Sequence, residues 1–386
     1  MTLATPVARA LAAPLVVAGL ALTPAGSARA AGAAPAPIKV DVGELGGARF
    51  SIANPPGAWN HDILLVAHGY RPESAPLVAD LNPEKAFYRT LLGEGWIVAT
   101  TSYRRNGLII GDAIADLDAL RAYIAETYGE PDRVILDGES IGGLVAAIMA
   151  ERDAGPYQGA VVFDATLYAK EPDMRVGLSL LPRIPLLFVA TVREAREARS
   201  YLTALVARPA PVVPPALLLI SREGHTNINQ AEHLAAFRAL NDWIERGRDA
   251  LPQPKEGSAY YDATIPPEPG PSTAIAHAGA RGFDTRVAEV DPVYGSVLLE
   301  AQAGDFASAG IEPMTFIEVG VRGRAYRALY GRTYSDVKND QWLAFPDADG
   351  RTVLSKGYAS AAAAAGLSVG DTVSVTAYGP GGPASR

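Results

Sequence analysis

Between residues 63 and 246 the chain alternates short, continuous apolar runs with stretches of helical periodicity. The runs are typical of buried strands and lie at 63–67, 96–100, 134–136, 160–163, 186–189 and 217–220. Helical spacing relates the apolar residues of segments 110–128 and 230–246. Buried strands that alternate with helices predict an α/β fold with a mostly parallel sheet covered on both faces.

The pattern changes after residue 250. Six prolines between residues 251 and 273 predict a linker, which we extend over residues 251–283. From residue 284 to 386 the apolar runs are shorter and separated by turn residues, among them Asp349-Gly350, a hairpin signal. This predicts a small β-barrel domain after the α/β domain of residues 31–250.

The pentapeptide Gly138-Glu139-Ser140-Ile141-Gly142 directly follows the run at 134–136 and precedes a helix-like stretch at 144–150. Strand, Gly-x-Ser-x-Gly and helix in this order are typical of a nucleophile elbow. Gly138 and Gly142 lack a Cβ, which lets strand and helix pass close together. Ser140 is therefore the candidate nucleophile; the alternative is an ordinary turn in a chain that contains 38 glycines.

A serine hydroxyl needs a base, and His225 is the best placed of five histidines. It follows the last predicted strand, which keeps the chain order serine, acid, histidine. Two residues are candidates for the acid that orients the histidine. Glu194 lies in the loop after 186–189, and Asp164 ends the preceding strand. A solvated helix face for Glu194 and a turn cap for Asp164 are the structural alternatives.

An oxyanion hole needs two backbone N–H groups. Ile141 follows the nucleophile directly and would supply one of them. Tyr70, in the segment Ala67-His68-Gly69-Tyr70 after the first strong strand, would supply the other. The alternative for this segment is a simple strand-terminating turn.

The first thirty residues have the organisation of a secretory signal. Arg9 precedes an apolar stretch at 10–22, and Ala28-Arg29-Ala30 is a small-x-small cleavage site. A signal peptide over 1–30 predicts export to the periplasm or beyond; an uncleaved anchor is the alternative. Its removal would leave 32 basic and 42 acidic residues, which argues against nucleic-acid or anionic-membrane partners.

The chain contains no cysteine. Cysteine nucleophiles, thiolate metal sites and iron–sulfur clusters are therefore excluded. We expect no metal and no organic cofactor.

Residues 60–250 resemble the α/β-hydrolase superfamily, in particular exported bacterial serine hydrolases related to esterases. The resemblance rests on segments 67–70, 101–107, 138–143, 224–227 and 243–247. It implies a Ser-His-acid triad that cleaves a small-molecule or polymer-derived ester through an acyl-enzyme. A serine peptidase or amidase is the alternative on the same fold. In this chain the acid departs from the usual loop aspartate.

The C-terminal segment resembles the small β-barrel domain of the SAM hydroxide adenosyltransferase family. The similar stretches are 333–337, 341–344, 349–350, 359–366 and 369–373. In that family the barrel completes an adenosine site supplied mainly by another domain, which has no counterpart in this sequence. Adenosyl chemistry is therefore not expected. One alternative is a ligand-binding protein, in which the hydrolase fold is catalytically inactive and the barrel recognises the ligand. Another is that the barrel only stabilises the chain.

Overall fold

The computed structural model describes residues 37–152, 155–168, 177–205, 212–254, 260–268, 270–278 and 281–378. The predicted signal peptide lies outside these residues. Among the helices described, none combines the length and the apolar character that a membrane span requires.

The first part of the chain forms a nine-stranded sheet with five helices. The strands are β1 (Lys39–Leu45), β2 (Ala48–Asn54), β3 (Asp62–Ala67), β4 (Ile97–Thr101), β5 (Arg133–Glu139), β6 (Gly159–Phe163), β7 (Leu186–Thr191), β8 (Ala216–Ile220) and β9 (Tyr261–Asp262). The helices are α1 (Ala86–Gly93), α2 (Ile110–Tyr128), α3 (Ile141–Glu151), α4 (Ala195–Leu205) and α5 (Gln230–Arg246).

The strand order is β1-β2-β4-β3-β5-β6-β7-β8-β9. All pairs from β4 to β9 are parallel, whereas β1 and β2 pair antiparallel at one edge. One apolar core includes residues of α2, α3 and α4, and the other includes residues of α1 and α5. The sheet is thus covered on both faces, as continuous apolar strands require.

The hairpin of β1 and β2 was not among the predicted strands. Strand β1 lies at the sheet edge, and its residues alternate between exposed and half-buried. Such an edge strand carries no continuous apolar run, so the pattern that identified the central strands does not extend to it.

The second part of the chain is a β-barrel. Its strands are β10 (Ile275–Ala276), β11 (Gly282–Val290), β12 (Val297–Gln302), β13 (Thr315–Val321), β14 (Arg324–Tyr330), β15 (Trp342–Pro346), β16 (Arg351–Lys356) and β17 (Thr372–Ala377), with the short helices α6 (Ala303–Ser308) and α7 (Ala361–Ala365). Pairing of β11 with β17 closes seven of these strands into a barrel around its own apolar core.

The predicted fold class is confirmed: a mostly parallel sheet with helices on both faces is followed by a small closed barrel. The segment predicted as a linker contains two short strands, however. Strand β9 extends the large sheet beside β8, and β10 pairs with β11 of the barrel.

Candidate active site

Ser140 lies in the sharp turn between β5 and α3. Its backbone adopts φ 55° and ψ −118°, a conformation that costs free energy in a non-glycine residue and persists only where its surroundings enforce it. The Ser140 N–H donates to the carbonyl of Phe163 at 3.0 Å, and the Ser140 carbonyl accepts from Thr166 N at 3.0 Å. The turn is therefore fixed from both sides by the neighbouring strand end.

The glycines of the elbow are required by the close crossing of strand and helix. A Cβ at Gly142 would lie 1.9 Å from the carbonyl oxygen of Ala67. At Gly138 it would lie 2.4 Å from the carbonyl oxygen of Gly142. Both contacts are with backbone atoms, which have no rotamer by which to move away.

His225 reaches the nucleophile from the loop after β8. Its Nε2 lies 2.8 Å from the Ser140 Oγ. The loop turns through Gly224 and Thr226, which both have positive φ. Immediately afterwards α5 begins with a reciprocal capping box between Asn229 and Glu232, which fixes the end of the loop.

Glu194 stands on the far side of the imidazole. Its Oε2 lies 3.3 Å from His225 Nδ1. This position suits a tautomer with the proton on Nδ1, which leaves Nε2 to accept from Ser140. The side chains of His225 and Glu194 are 44% and 39% exposed. The pair is thus partly solvated, which weakens its electrostatic coupling.

Asp164, the other candidate acid, occupies a different position. Its buried carboxylate accepts from Thr191 N and from Thr226 N, both at 2.7 Å. Among the hydrogen bonds of the described residues, none joins Asp164 to His225. Burial raises the pKa of Asp164 to about 6, although the two amide donors act in the opposite direction. The structure therefore brings Glu194 to the imidazole and uses Asp164 to hold the residue next to it.

The two residues expected to supply the oxyanion donors lie in segments next to Ser140. Ile141 is the first residue of α3, whose N-terminal amides have no partner within the helix. Tyr70 lies on the loop after β3, one residue beyond Gly69. A Cβ at Gly69 would lie 3.2 Å from the Cβ of Ser140, which shows how closely this loop approaches the nucleophile.

Contacts of His68 stabilise the loop of residues 68–70 after β3, called the oxyanion loop below. The imidazole Nδ1 lies 2.7 Å from the carbonyl oxygen of Gly69, and the Tyr103 hydroxyl donates to the His68 carbonyl at 3.2 Å. Burial lowers the pKa of His68 to about 3, so the ring is neutral and Nδ1 donates its proton to that carbonyl. His68 thus acts on the loop conformation.

A contact that the sequence did not reveal comes from the barrel. The Tyr294 hydroxyl, in the turn between β11 and β12, donates to the carbonyl of Tyr70. Burial raises the pKa of Tyr294, which keeps this donor protonated. The barrel also reaches the histidine side: Gln230 N, at the start of α5, donates to Asp349 Oδ1 at 3.0 Å. Both loops that meet at Ser140 are therefore supported by the barrel.

A cavity of about 10 Å³ lies behind the oxyanion loop, between Gly69, Arg71 and Ile141. This is room for about one water molecule. An acyl or alkyl group is larger than this cavity. Within the described residues, no group of three or more His, Cys, Asp or Glu side chains is placed to hold a metal ion.

No protein-family model and no curated protein matches this chain. Solved structures with a similar backbone include an uncharacterized conserved protein from Thermotoga maritima, which is 18% identical at a TM-score of 0.26. This likeness covers 37% of the present chain and about half, 49%, of the Thermotoga chain.

Two further similar structures carry enzyme names. A putative dienelactone hydrolase from Klebsiella pneumoniae is 13% identical at a TM-score of 0.41, over 54% of this chain and 99% of its own. A putative dipeptidyl aminopeptidase IV from Bacteroides ovatus is 13% identical at a TM-score of 0.43, over 54% of this chain and 36% of its own. Likenesses this distant do not decide an activity. On its own strand order and elbow geometry, the chain has an α/β-hydrolase fold followed by a closed seven-stranded β-barrel.

Proposed function

We propose that the protein is a serine hydrolase that cleaves carboxylic esters through a covalent acyl-enzyme. One observation carries the proposal: Ser140 Oγ, the His225 imidazole and the Glu194 carboxylate form a continuous row with separations of 2.8 and 3.3 Å. This is the arrangement of nucleophile, base and orienting acid that activates a serine hydroxyl.

Each half of the reaction has a donor and an acceptor in this row. Ser140 Oγ bonds to the ester carbonyl carbon while His225 Nε2 takes the hydroxyl proton. The carbonyl oxygen becomes an oxyanion that faces the amides of Tyr70 and Ile141. The alcohol then leaves with the proton from His225. Water repeats the sequence on the acyl-enzyme, so that the acid is released and Ser140 recovers its proton.

Fluorophosphonate labelling of the purified protein, mapped by mass spectrometry, tests the nucleophile. We expect a single adduct on Ser140, and none after Ser140→Ala or His225→Gln. Ser221→Ala is a matched control, because the Ser221 hydroxyl lies near the histidine loop but is 3.1 Å from Asp262. If the folded protein gives no adduct, the serine is not activated and a ligand-binding role becomes the better reading.

An ester is a better substrate for this site than an amide. An amine leaves only when His225 protonates it, and a partly solvated Glu194 stabilises the intermediate imidazolium less than a buried acid would. We expect turnover of 4-nitrophenyl acetate and none of 4-nitroacetanilide. Comparable rates on both would instead identify an amidase or peptidase.

We also propose that the protein is exported after cleavage behind Ala30. The basis is the Arg9, apolar and Ala28-Arg29-Ala30 pattern. The mature protein should then begin at Ala31, which N-terminal sequencing of cell-envelope and culture fractions measures. An intact N-terminus in the cytoplasmic fraction would contradict export.

A further inference from the structure

A closed circuit of contacts joins the loops at Ser140 to the barrel. On the hydrolase side, the loop that carries Tyr70 approaches Ser140, and Ser140 contacts His225. A Cβ at Gly224, next to His225, would lie 3.4 Å from the side chain of Thr333 on the barrel. The barrel thus meets the hydrolase domain on both sides of the nucleophile, at Thr333 and, through Tyr294, at Tyr70.

The barrel half of the circuit is continuous as well. Next to Tyr294, the carbonyl of Gly295 accepts from Ala362 N at 2.9 Å, which places this turn against the segment that follows Tyr358. The amide of Tyr358 donates to the Tyr334 hydroxyl at 2.9 Å, and the two rings lie 6.5 Å apart. Tyr334 directly follows Thr333, which returns the circuit to the histidine loop.

Four tyrosines stand around this circuit. Tyr70, Tyr294, Tyr334 and Tyr358 are 44%, 49%, 42% and 82% exposed. A grouped set of exposed aromatic rings, joined by contacts to the loops that meet at Ser140, is typical of a binding surface. The ring of Tyr358 is held out on a residue with φ 52°, a strained conformation that the bond to Tyr334 fixes.

These four tyrosines, called the rim below, present aromatic faces to solvent. The hydroxyl of Tyr334 accepts from the amide of Tyr358, and that of Tyr294 donates to the carbonyl of Tyr70, which fixes the positions of these residues. A flat aromatic ring packs favourably against the faces and edges of such tyrosines.

The charges around the opening are of both signs. Glu139 is exposed directly beside Ser140, and Glu194 stands behind His225. Arg193 pairs with Glu223 at 2.9 Å and Lys356 with Asp340 at 2.6 Å, whereas Arg332, directly before Thr333, is exposed. Aromatic rings, and not one sign of charge, therefore characterise this surface.

We infer that Tyr334 and Tyr358 of the barrel form a subsite for an aromatic group of the ester substrate, on its acyl or its alcohol part. The inference rests on the proposed esterase function and assigns the barrel a role in substrate selection.

Two pairs of matched substrates test the subsite. Benzyl acetate and cyclohexylmethyl acetate differ only in the aromatic character of the alcohol. Ethyl 3-phenylpropionate and ethyl 3-cyclohexylpropionate differ likewise in the acyl part. Since an aromatic pair adds a preference of about 3- to 10-fold beyond burial, we expect kcat/KM to favour the aromatic member of at least one pair by that factor.

Variants assign the preference to the rim. Tyr358→Ala should reduce the aromatic preference towards unity through a higher KM, whereas Tyr358→Phe should retain it. Tyr378→Ala is the control, because Tyr378 is another exposed barrel tyrosine whose ring instead contacts Arg327. Circular dichroism checks that each variant is folded.

The outcomes separate the subsite from the esterase function. A protein that is not labelled by fluorophosphonate refutes the proposed function itself. A labelled protein that treats both members of each pair alike, or a Tyr358→Ala variant with an unchanged preference, overturns the subsite alone. A stronger preference for acetylated glucose than for benzyl acetate would also overturn it.

Discussion

Glu194 and Asp164 can be distinguished by removing one charge at a time. Glu194→Gln removes the carboxylate 3.3 Å from His225 Nδ1 but keeps an oxygen that can accept the Nδ1 proton. Asp164→Asn removes a buried charge and replaces one acceptor oxygen by an NH₂ group. That group would then face the amide of Thr191 or of Thr226. Each substitution replaces a carboxylate by an amide of the same shape. The first affects the contact with His225, and the second affects the hydrogen bonds from Thr191 and Thr226.

The expected size of the Glu194 effect follows from distance and solvation. For charges 3.3 Å apart, the interaction is worth about 1.3 kcal/mol at the dielectric of water and about 5 kcal/mol at an effective dielectric of 20. Both side chains are more than one third exposed, which favours the lower half of this range, about 1.5 to 3 kcal/mol. In the proposed mechanism His225 is positively charged in the transition state, so kcat should fall by about 10- to 150-fold.

Asp164→Asn should act on stability first. A buried N–H that loses its acceptor costs about 1 to 3 kcal/mol. Above pH 6 this cost is partly offset, because the substitution also removes a buried charge whose raised pKa disfavours ionisation, so the unfolding midpoint should fall most clearly below pH 6. Glu194→Gln, on a partly exposed side chain, should leave it almost unchanged.

The assay combines kcat on 4-nitrophenyl acetate with a urea unfolding curve for each variant. Glu223→Gln is the matched control, since it removes a carboxylate near His225 that pairs with Arg193. We expect that control to stay within about twofold of the parent. If Glu194→Gln also stays there, while Asp164→Asn loses kcat at unchanged stability, Asp164 is the acid and our reasoning is wrong.

Three other predictions follow from the geometry. Tyr294→Phe removes the hydrogen bond to the Tyr70 carbonyl and should lower kcat by about 3- to 10-fold at unchanged KM; a raised KM at constant kcat would instead assign Tyr294 to substrate binding. Gly142→Ala places a Cβ against the Ala67 carbonyl and should lower the free energy of unfolding in urea by about 3 kcal/mol or more. Its control is Gly111→Ala, whose Cβ would have no atom within 4 Å and which should stabilise α2 slightly. Equal unfolding midpoints for the two variants would contradict the steric argument. Because the pKa of Asp164 is raised from 3.8 to about 6, its contribution to stability should fall as pH rises through this window. The Tm difference between parent and Asp164→Asn should therefore be larger at pH 4 than at pH 7, and a constant difference would contradict the raised pKa.

The elbow and the histidine were readable from the sequence because each depends on local order. Ser140 follows a continuous apolar strand and precedes a helix, and the glycines on either side are needed by contacts within the same unit. The histidine loop similarly follows β8 directly. These features place side chains at the carboxyl edge of the sheet without reference to any distant segment.

The choice of acid was not readable, for a physical reason. Asp164 and Glu194 both follow neighbouring strands at the same sheet edge, β6 and β7. The two residues differ because the amides of Thr191 and Thr226 donate to the Asp164 carboxylate. No sequence pattern predicts the direction in which a loop amide points. Tyr294 was out of reach for another reason: it lies 224 residues from Tyr70, and only packing of the barrel joins them.

The two barrel contacts have a consequence for the order in which the protein is made. A ribosome releases the chain from the N-terminus, so Ser140 and His225 emerge well before Tyr294 and Asp349. Until then the Tyr70 loop and the first turn of α5 lack the partners that the finished protein gives them. The α/β domain can thus collapse around its own core while the loops of the proposed active site still lack these partners. If the proposed function is right, full reactivity should appear only when translation has passed residue 349 and the barrel has closed.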